Sequence, residues 1–136
     1  MNESQWHRTM GEMVRDYIRS PELNHYFSIK MTKPRAAIMV VQQSLYVRHR
    51  RECWAHASTN CPVLSLKQRI LEHEYEKMIR DDFSEYGHLH LIINQGKSVG
   101  LEPEQILNAE PLPETLAVLY AWSWITSELS WIEGWA

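Results

Sequence analysis

The sequence has 136 residues, of which 44% are hydrophobic and 23% charged, a composition that fits one ordinary globular domain. Its longest apolar run, residues 116–125, is about half of what a bilayer-spanning helix needs, so no membrane span is expected. The net charge is −3, and the basic run Arg48-His49-Arg50-Arg51 is too short and isolated to indicate nucleic-acid binding.

The charge is unevenly distributed along the chain. Residues 1–69 carry eleven Lys/Arg and five Asp/Glu, a balance of +6, whereas residues 70–136 carry three and twelve, a balance of −9. An acidic half is what a cation site needs, although two halves that attract each other explain the same asymmetry.

The only cysteines are Cys53 and Cys61. Because no apolar leader segment precedes them, we expect reduced thiols and a cytoplasmic location.

Helix signals dominate and strand-like alternation is absent, so the sequence predicts an all-α fold. A first amphipathic helix covers residues 3–19, and Ser20-Pro21 starts a short second one. Thr32-Lys33-Pro34 starts a long helix. This helix ends at Asn60-Cys61-Pro62, because Pro62 cannot donate a backbone hydrogen bond and restricts the residue before it.

Ser65 is the predicted cap of the next helix, which we expect to run unbroken over residues 66–98 and to stop at Gly100. A short helical turn at residues 102–107 and a rigid loop at Pro111-Leu112-Pro113 follow. The last long helix begins near Glu114 and continues through Trp124, and Ser130 is placed to cap a further one.

One face of the predicted helix over residues 66–98 is polar in its middle. Steps of three and four residues place on that face Leu66, Ile70, Glu74, Asp81, Glu85, His88 and Ile92. Carboxylates and imidazole together suit iron, manganese or zinc, and a Glu-x-x-His pair is the arrangement of helical di-iron carboxylate sites. Glu85-Tyr86-Gly87-His88 has that spacing. A solvated face of a long helix explains the same residues, so both interpretations stay open.

Three further residues of this predicted helix are interpreted separately from its polar face. His90 points away from the polar face, and His73 is either a group that supports a ligand or a satisfied core histidine. Gly87 inside a helix costs about 1 kcal/mol relative to alanine, so it predicts a kink or a close approach of backbone or ligand.

Six stretches of the sequence, together with the order of elements, carry a resemblance to known proteins: residues 21–27, Asn60-Cys61-Pro62, Ile70-Leu71-Glu72-His73-Glu74, His88-Leu89-His90-Leu91, Val99-Gly100-Leu101 and Trp131-Ile132-Glu133-Gly134-Trp135-Ala136. They resemble the haem-oxygenase-like superfamily, and within it pyrroloquinoline-quinone synthase, TenA-type thiaminases and the non-haem iron oxygenases of that fold. The resemblance implies a single all-α haem-oxygenase-like bundle over residues 1–136. We expect the chain to be the N-terminal part of such a bundle, without its C-terminal helices.

The iron-containing members of the superfamily imply an oxidoreductase that uses dioxygen on a small organic or amino-acid-like substrate. His88 matches their first histidine and Asp81 or Glu85 the accompanying acid, with iron (two Fe, or Mn) and no haem as the cofactor. The remaining ligands would come from a second subunit, so a homodimer or another helical partner is expected. The aromatic stretch Tyr120, Trp122 and Trp124 is the predicted pocket wall, although such a stretch also suits a core.

Two alternatives remain open from the sequence. The first is a metal-free cofactor-biosynthesis or thiaminase-like domain, in which polar side chains hold an organic substrate in the same helical cavity. The second is a non-catalytic helical interaction domain or fragment, for which the apolar end with Trp131 and Trp135 is the supporting observation.

Overall fold

The computed structural model describes residues 2–80 and 85–135. Every regular element in those residues is a helix, and in chain order they are α1 (Glu3–Ile18), α2 (Pro21–Ser28), α3 (Lys33–Asn60), α4 (Leu64–Met78), α5 (Gly87–Ser98), α6 (Pro103–Leu107), α7 (Pro113–Glu128) and α8 (Trp131–Trp135). The prediction of an all-α helical fold is therefore confirmed. None of these described helices is long and apolar enough to cross a membrane.

The helices divide into two compact units, Met1–Thr32 and Lys33–Ala136. In the first unit, Gln5 N–H donates to Asn2 Oδ1 and Asn2 N–H donates to Gln5 Oε1, both at 2.9 Å, which forms a capping box at the start of α1. Ser20 Oγ accepts from Leu23 N–H (3.2 Å), and proline occupies the first position of α2. The predicted helix start at Ser20-Pro21 is confirmed, whereas the single domain over residues 1–136 stays a prediction.

α3 is the central helix of the second unit and packs against α4, α5, α6, α7 and α8. Its core contacts bring together Val40, Val47, Ile92 and Ile106. The fully buried Ser44 hydroxyl lies 2.7 Å from Val41 O and 3.2 Å from Ile106 O, which ties α3 to α6. These contacts join α3 to α5 and α6, and the other sides of α3 pack against α4, α7 and α8.

The end of α5 has the predicted form. Gly100 adopts a left-handed conformation (φ +92°), and Leu101 N–H donates to Gly96 O (3.0 Å) while Gly100 N–H donates to Lys97 O (3.1 Å). This is a Schellman motif, in which glycine accepts the backbone conformation that other residues resist. The predicted stop at Gly100 is confirmed. The predicted cap at Ser65 is wrong, because α4 begins at Leu64, two residues before the predicted start, with Val63 at the capping position.

The unbroken helix predicted over residues 66–98 is also wrong. α4 ends at Met78 and α5 begins at Gly87. Gly87 has φ +72°, and a Cβ atom added to it would lie 2.6 Å from both the carbonyl carbon and the carbonyl oxygen of Met78. The backbone therefore closes against the end of α4 at a point where only glycine fits. The close approach predicted at Gly87 is confirmed, and the helical spacing that joined Glu74 to His88 no longer applies.

Candidate functional site

A partly enclosed cavity of about 260 Å³ lies between α3, α7 and α8. We call it the aromatic cavity, because four of the seven residues that line it carry aromatic rings: Tyr46, Cys53 and Trp54 from α3, Trp122 and Thr126 from α7, and Gly134 and Trp135 from α8. The α3 residues recur after seven and eight positions, which places them along one side of that helix. Gly134 packs closely on α7, since an added Cβ would lie 3.3 Å from Thr126 Cα.

The rings of the aromatic cavity are arranged as two pairs. Tyr46 and Trp122 stack with centroids 4.7 Å apart and an interplanar angle of 19°. Trp54 and Trp135 meet edge to face, with centroids 5.6 Å apart and an angle of 76°. Both arrangements suit the aromatic quadrupole and bring three helices together. The walls are therefore formed largely by aromatic rings, beside the polar groups of Thr126 and Cys53.

The polar atoms in the lining are neutral. Thr126 is buried and its hydroxyl donates to Trp122 O (2.9 Å). Burial raises the pKa of the Cys53 thiol, although hydrogen bonds with the Thr126 and Ser123 side chains oppose that effect. The Cys53 thiol is therefore protonated at neutral pH, which suits a weak hydrogen-bonding group and not a nucleophile. No charged side chain is among the residues that line this cavity.

A partly buried ion-pair cluster of Arg50, His73 and Glu74 lies behind the Trp54 wall. Trp54 contacts the His73 ring edge to face at 5.8 Å. Arg50 Nη2 lies 2.6 Å from His73 Nε2 and donates to Glu74 Oε1 at 3.3 Å. The side chains of Arg50 and Glu74 are only 16% and 12% exposed. Within the described residues, Arg50 Nε, Glu74 Oε2 and Trp54 Nε1 are buried without a hydrogen-bond partner.

His73 is neutral in this cluster. Burial, and then the adjacent Arg50 guanidinium, lower the pKa of His73 from its ordinary value of 6.5. Neutral imidazole can accept the Arg50 hydrogen bond through Nε2, which is the arrangement of a satisfied core histidine.

Acidification should therefore destabilise the fold through His73. Because the folded-state pKa lies below the unfolded one, the unfolded chain binds the extra proton first as the pH falls. The stabilising contribution is fully present above pH 6.5 and declines as the pH falls below that value. Urea unfolding at a series of pH values should show this decline in the parent and a weaker one in His73→Phe. His56→Gln, at an exposed position of α3, should keep the parent's pH profile.

His49 forms a second polar arrangement, between α3 and α7. His49 Nε2 lies 2.8 Å from Ser123 Oγ and 3.0 Å from Leu119 O, and Nδ1 lies 3.9 Å from Glu52 Oε2. The side chains of Ser123, His49 and Glu52 are thus in successive contact, as a nucleophile, a base and an orienting acid would be. However, a nitrogen this close to a carbonyl oxygen must carry the proton, so Nε2 cannot accept the Ser123 proton. His49 therefore connects the two helices and does not activate the serine.

The residues predicted to bind metal are not brought together in the described part of the chain. Asp81 lies outside the described residues. Glu85 is exposed in the turn before α5, and His88 is in the first turn of α5 with Nε2 3.4 Å from Lys77 Nζ. An ammonium at this distance disfavours a metal cation on the same nitrogen. Across residues 2–80 and 85–135, no group of three or more His, Cys, Asp or Glu side chains could hold a metal ion. As placed, the described donors do not fit iron, and their assignment as ligands stays a prediction.

The predicted pocket residues lie on different sides of α7. Trp122 lines the aromatic cavity, whereas Tyr120 is 68% exposed and Trp124 is 56% exposed. Residues two positions apart on a helix point about 200° away from each other, so aromatic residues at every second position cannot all face one pocket. Sequence reasoning missed Tyr46, Cys53, Trp54 and Trp135. The spacing of the first three along α3 was the available signal.

Comparison with known proteins identifies one family. The family described as TENA/THI-4/PQQC matches residues 7–136, which is nearly the whole chain. Neither a curated protein nor a solved structure matches the chain significantly.

Proposed function

Because the chain belongs to the TENA/THI-4/PQQC family of the haem-oxygenase-like superfamily, we propose that it is a helical cofactor-biosynthesis or thiaminase-like domain. In this proposal it binds a small organic compound in the aromatic cavity and needs no metal ion for binding. The observation that carries the proposal is the aromatic cavity itself, in which two ring pairs from three helices surround a space of about 260 Å³. The ligand is accordingly smaller than a drug-sized molecule, for which pockets of roughly 300–1,000 Å³ are usual.

The lining suits a compact or flat ligand. Each aromatic contact contributes about 0.5–1.5 kcal/mol beyond the burial of apolar area. Thr126 and the protonated Cys53 thiol offer hydrogen bonds without charge, so they can orient a ligand without a desolvation cost as large as that of an ion. Trp135 and Gly134 on α8 form one side of the aromatic cavity. The residues of this chain would thus bind and orient the ligand.

The proposal is tested by binding measurements in the presence of EDTA. The probes are pyridine, pyrimidine, imidazole and choline, and binding is followed by calorimetry and by ligand-observed NMR. We expect at least one probe to bind, and Trp122→Leu to weaken it about tenfold, because the ring contributes stacking and burial. Trp124→Leu is the matched control, since that ring lies on the same helix outside the aromatic cavity. No binding by any probe, or equal effects of the two variants, would contradict the proposal.

The iron-dependent oxidoreductase stays a separate prediction, as do dioxygen as co-substrate, a homodimer and a cytoplasmic location. Its test is metal analysis after anaerobic iron loading of the parent and of Glu85→Ala and His88→Ala. Stoichiometric iron that both substitutions remove would support iron binding. Probe binding that survives EDTA would separate the proposed cavity from that metal chemistry.

A further inference from the structure

The aromatic cavity combines several electron-rich rings with a lining that contains no charged side chain. Trp and Tyr rings attract cations through the negative faces of their π systems, and aromatic cages bind quaternary ammonium groups in this way. We propose that the ligand of the aromatic cavity is an organic cation, of the quaternary ammonium type, bound against the Tyr46–Trp122 pair on one side and the Trp54–Trp135 pair on the other. This inference rests on the proposed function and specifies its ligand class.

The absence of a lining carboxylate favours a quaternary cation over a primary ammonium group. An ammonium group carries three N–H donors, and each one loses its water on entering the cavity. Among the lining residues, only Thr126, Cys53 and Tyr46 offer side-chain acceptors, and none of these is a carboxylate that could form a salt bridge. A quaternary nitrogen carries no N–H and needs no acceptor. Its alkyl groups contact the rings directly, so both its charge and its apolar surface are accommodated.

The charges of the segment that contains α7 and α8 favour a cation as well. After Ser98 the chain carries Glu102, Glu104, Glu110, Glu114, Glu128 and Glu133 and no Lys or Arg. α7 and α8, which supply four of the lining residues, lie in this acidic segment. Hydrogen bonds from the Ser130 hydroxyl and N–H hold the pKa of Glu133 below its ordinary value, so α8 keeps its negative charge. The acidic half identified in the sequence therefore includes two of the helices that form the aromatic cavity.

Behind the Trp54 wall, the charge of Arg50 is balanced by that of Glu74. The Arg50 guanidinium donates to the Glu74 carboxylate at 3.3 Å, and the adjacent His73 is neutral. The pair adds little net repulsion to a bound cation, because its two charges act over almost the same distance.

A pair of isosteric probes separates charge from shape. Choline and 3,3-dimethylbutan-1-ol have the same outline, but only choline carries the positive charge. Calorimetry with each compound in EDTA should give choline about tenfold tighter binding than the neutral alcohol. Trp122→Leu should abolish this preference, Trp122→Phe should retain part of it, and Trp124→Leu should leave it unchanged. The Phe variant keeps a ring in place, so a loss of fold in the Leu variant does not decide the result.

The outcomes distinguish this inference from the proposed function. Equal affinity for the two isosteres, with both lost in Trp122→Leu, would overturn the cation inference and leave the proposed function standing. Binding of pyridine, pyrimidine or imidazole without binding of choline would do the same. Choline binding that Trp122→Leu and Trp122→Phe leave intact would overturn the inference by placing the cation elsewhere. Failure of all probes would overturn both.

Discussion

Replacing Arg50 with Met is expected to lower the free energy of unfolding by about 3 kcal/mol. The substitution leaves the Glu74 carboxylate, only 12% exposed, without its cation, and an uncompensated buried charge is strongly destabilising. The expected value lies at the lower end of the range for such pairs, because both side chains retain some access to solvent. Urea denaturation of the parent and the variant measures the difference directly.

Two further variants show whether the effect comes from the unpaired charge. The double variant Arg50→Met/Glu74→Leu removes both charges, so we expect it to recover most of the lost stability. Arg69→Met, at an exposed position of α4, should change the free energy of unfolding by less than about 0.5 kcal/mol. If Arg50→Met resembled Arg69→Met, the Arg50–Glu74 pair would not be the partly buried interaction described above.

Replacing Gly87 with Ala is expected to destabilise the second unit by about 3 kcal/mol or more. The positive φ of +72° alone costs an L-residue about 1–2 kcal/mol. In addition, the new Cβ would lie 2.6 Å from backbone atoms of Met78, which cannot move as a flexible side chain can. The end of α4 and the start of α5 must therefore separate, and thermal unfolding should report the loss.

Gly100→Ala is the matched control for this prediction. Gly100 also has a positive φ (+92°), but no atom lies within 4 Å of its added Cβ. It should therefore show only the conformational cost, about 1–2 kcal/mol. Equal losses in the two variants would mean that the backbone does not close on Gly87 as described.

Local chemistry explains which helix ends the sequence could predict. Ser20-Pro21 and Gly100 are capping residues whose preferred backbone angles decide the result within one turn. The break between α4 and α5 is different, because polar and apolar residues continue at helical spacing across it. The helix is interrupted there by a contact between Gly87 and Met78, and the periodicity of apolar residues cannot predict such a contact. Gly87 was the sequence feature that indicated the break, but a glycine within a helical pattern has several explanations.

The candidate site was predictable only in part for the same reason. Trp122 belonged to a visible aromatic stretch, yet its helical neighbours Tyr120 and Trp124 face away from the aromatic cavity. Trp54 and Trp135 are far apart in sequence and become one wall only when α8 packs beside α3. The metal interpretation relied on a continuous helix, and the break removed the spacing that connected Glu74 to His88. Family membership then supported the metal-free alternative better than the iron-dependent one.

The most direct test of the proposed binding site is an NMR titration that follows the six tryptophan indole N–H signals of ¹⁵N-labelled protein. Choline and pyrimidine are added separately in the presence of EDTA, and the signals are assigned by single Trp→Phe substitutions. We predict that the bound probe shifts the signals of Trp54, Trp122 and Trp135, which line the aromatic cavity, and leaves Trp124 in place. Shifts at Trp124 without shifts at the three lining residues, or no shifts with these two probes or with pyridine and imidazole, would contradict the account.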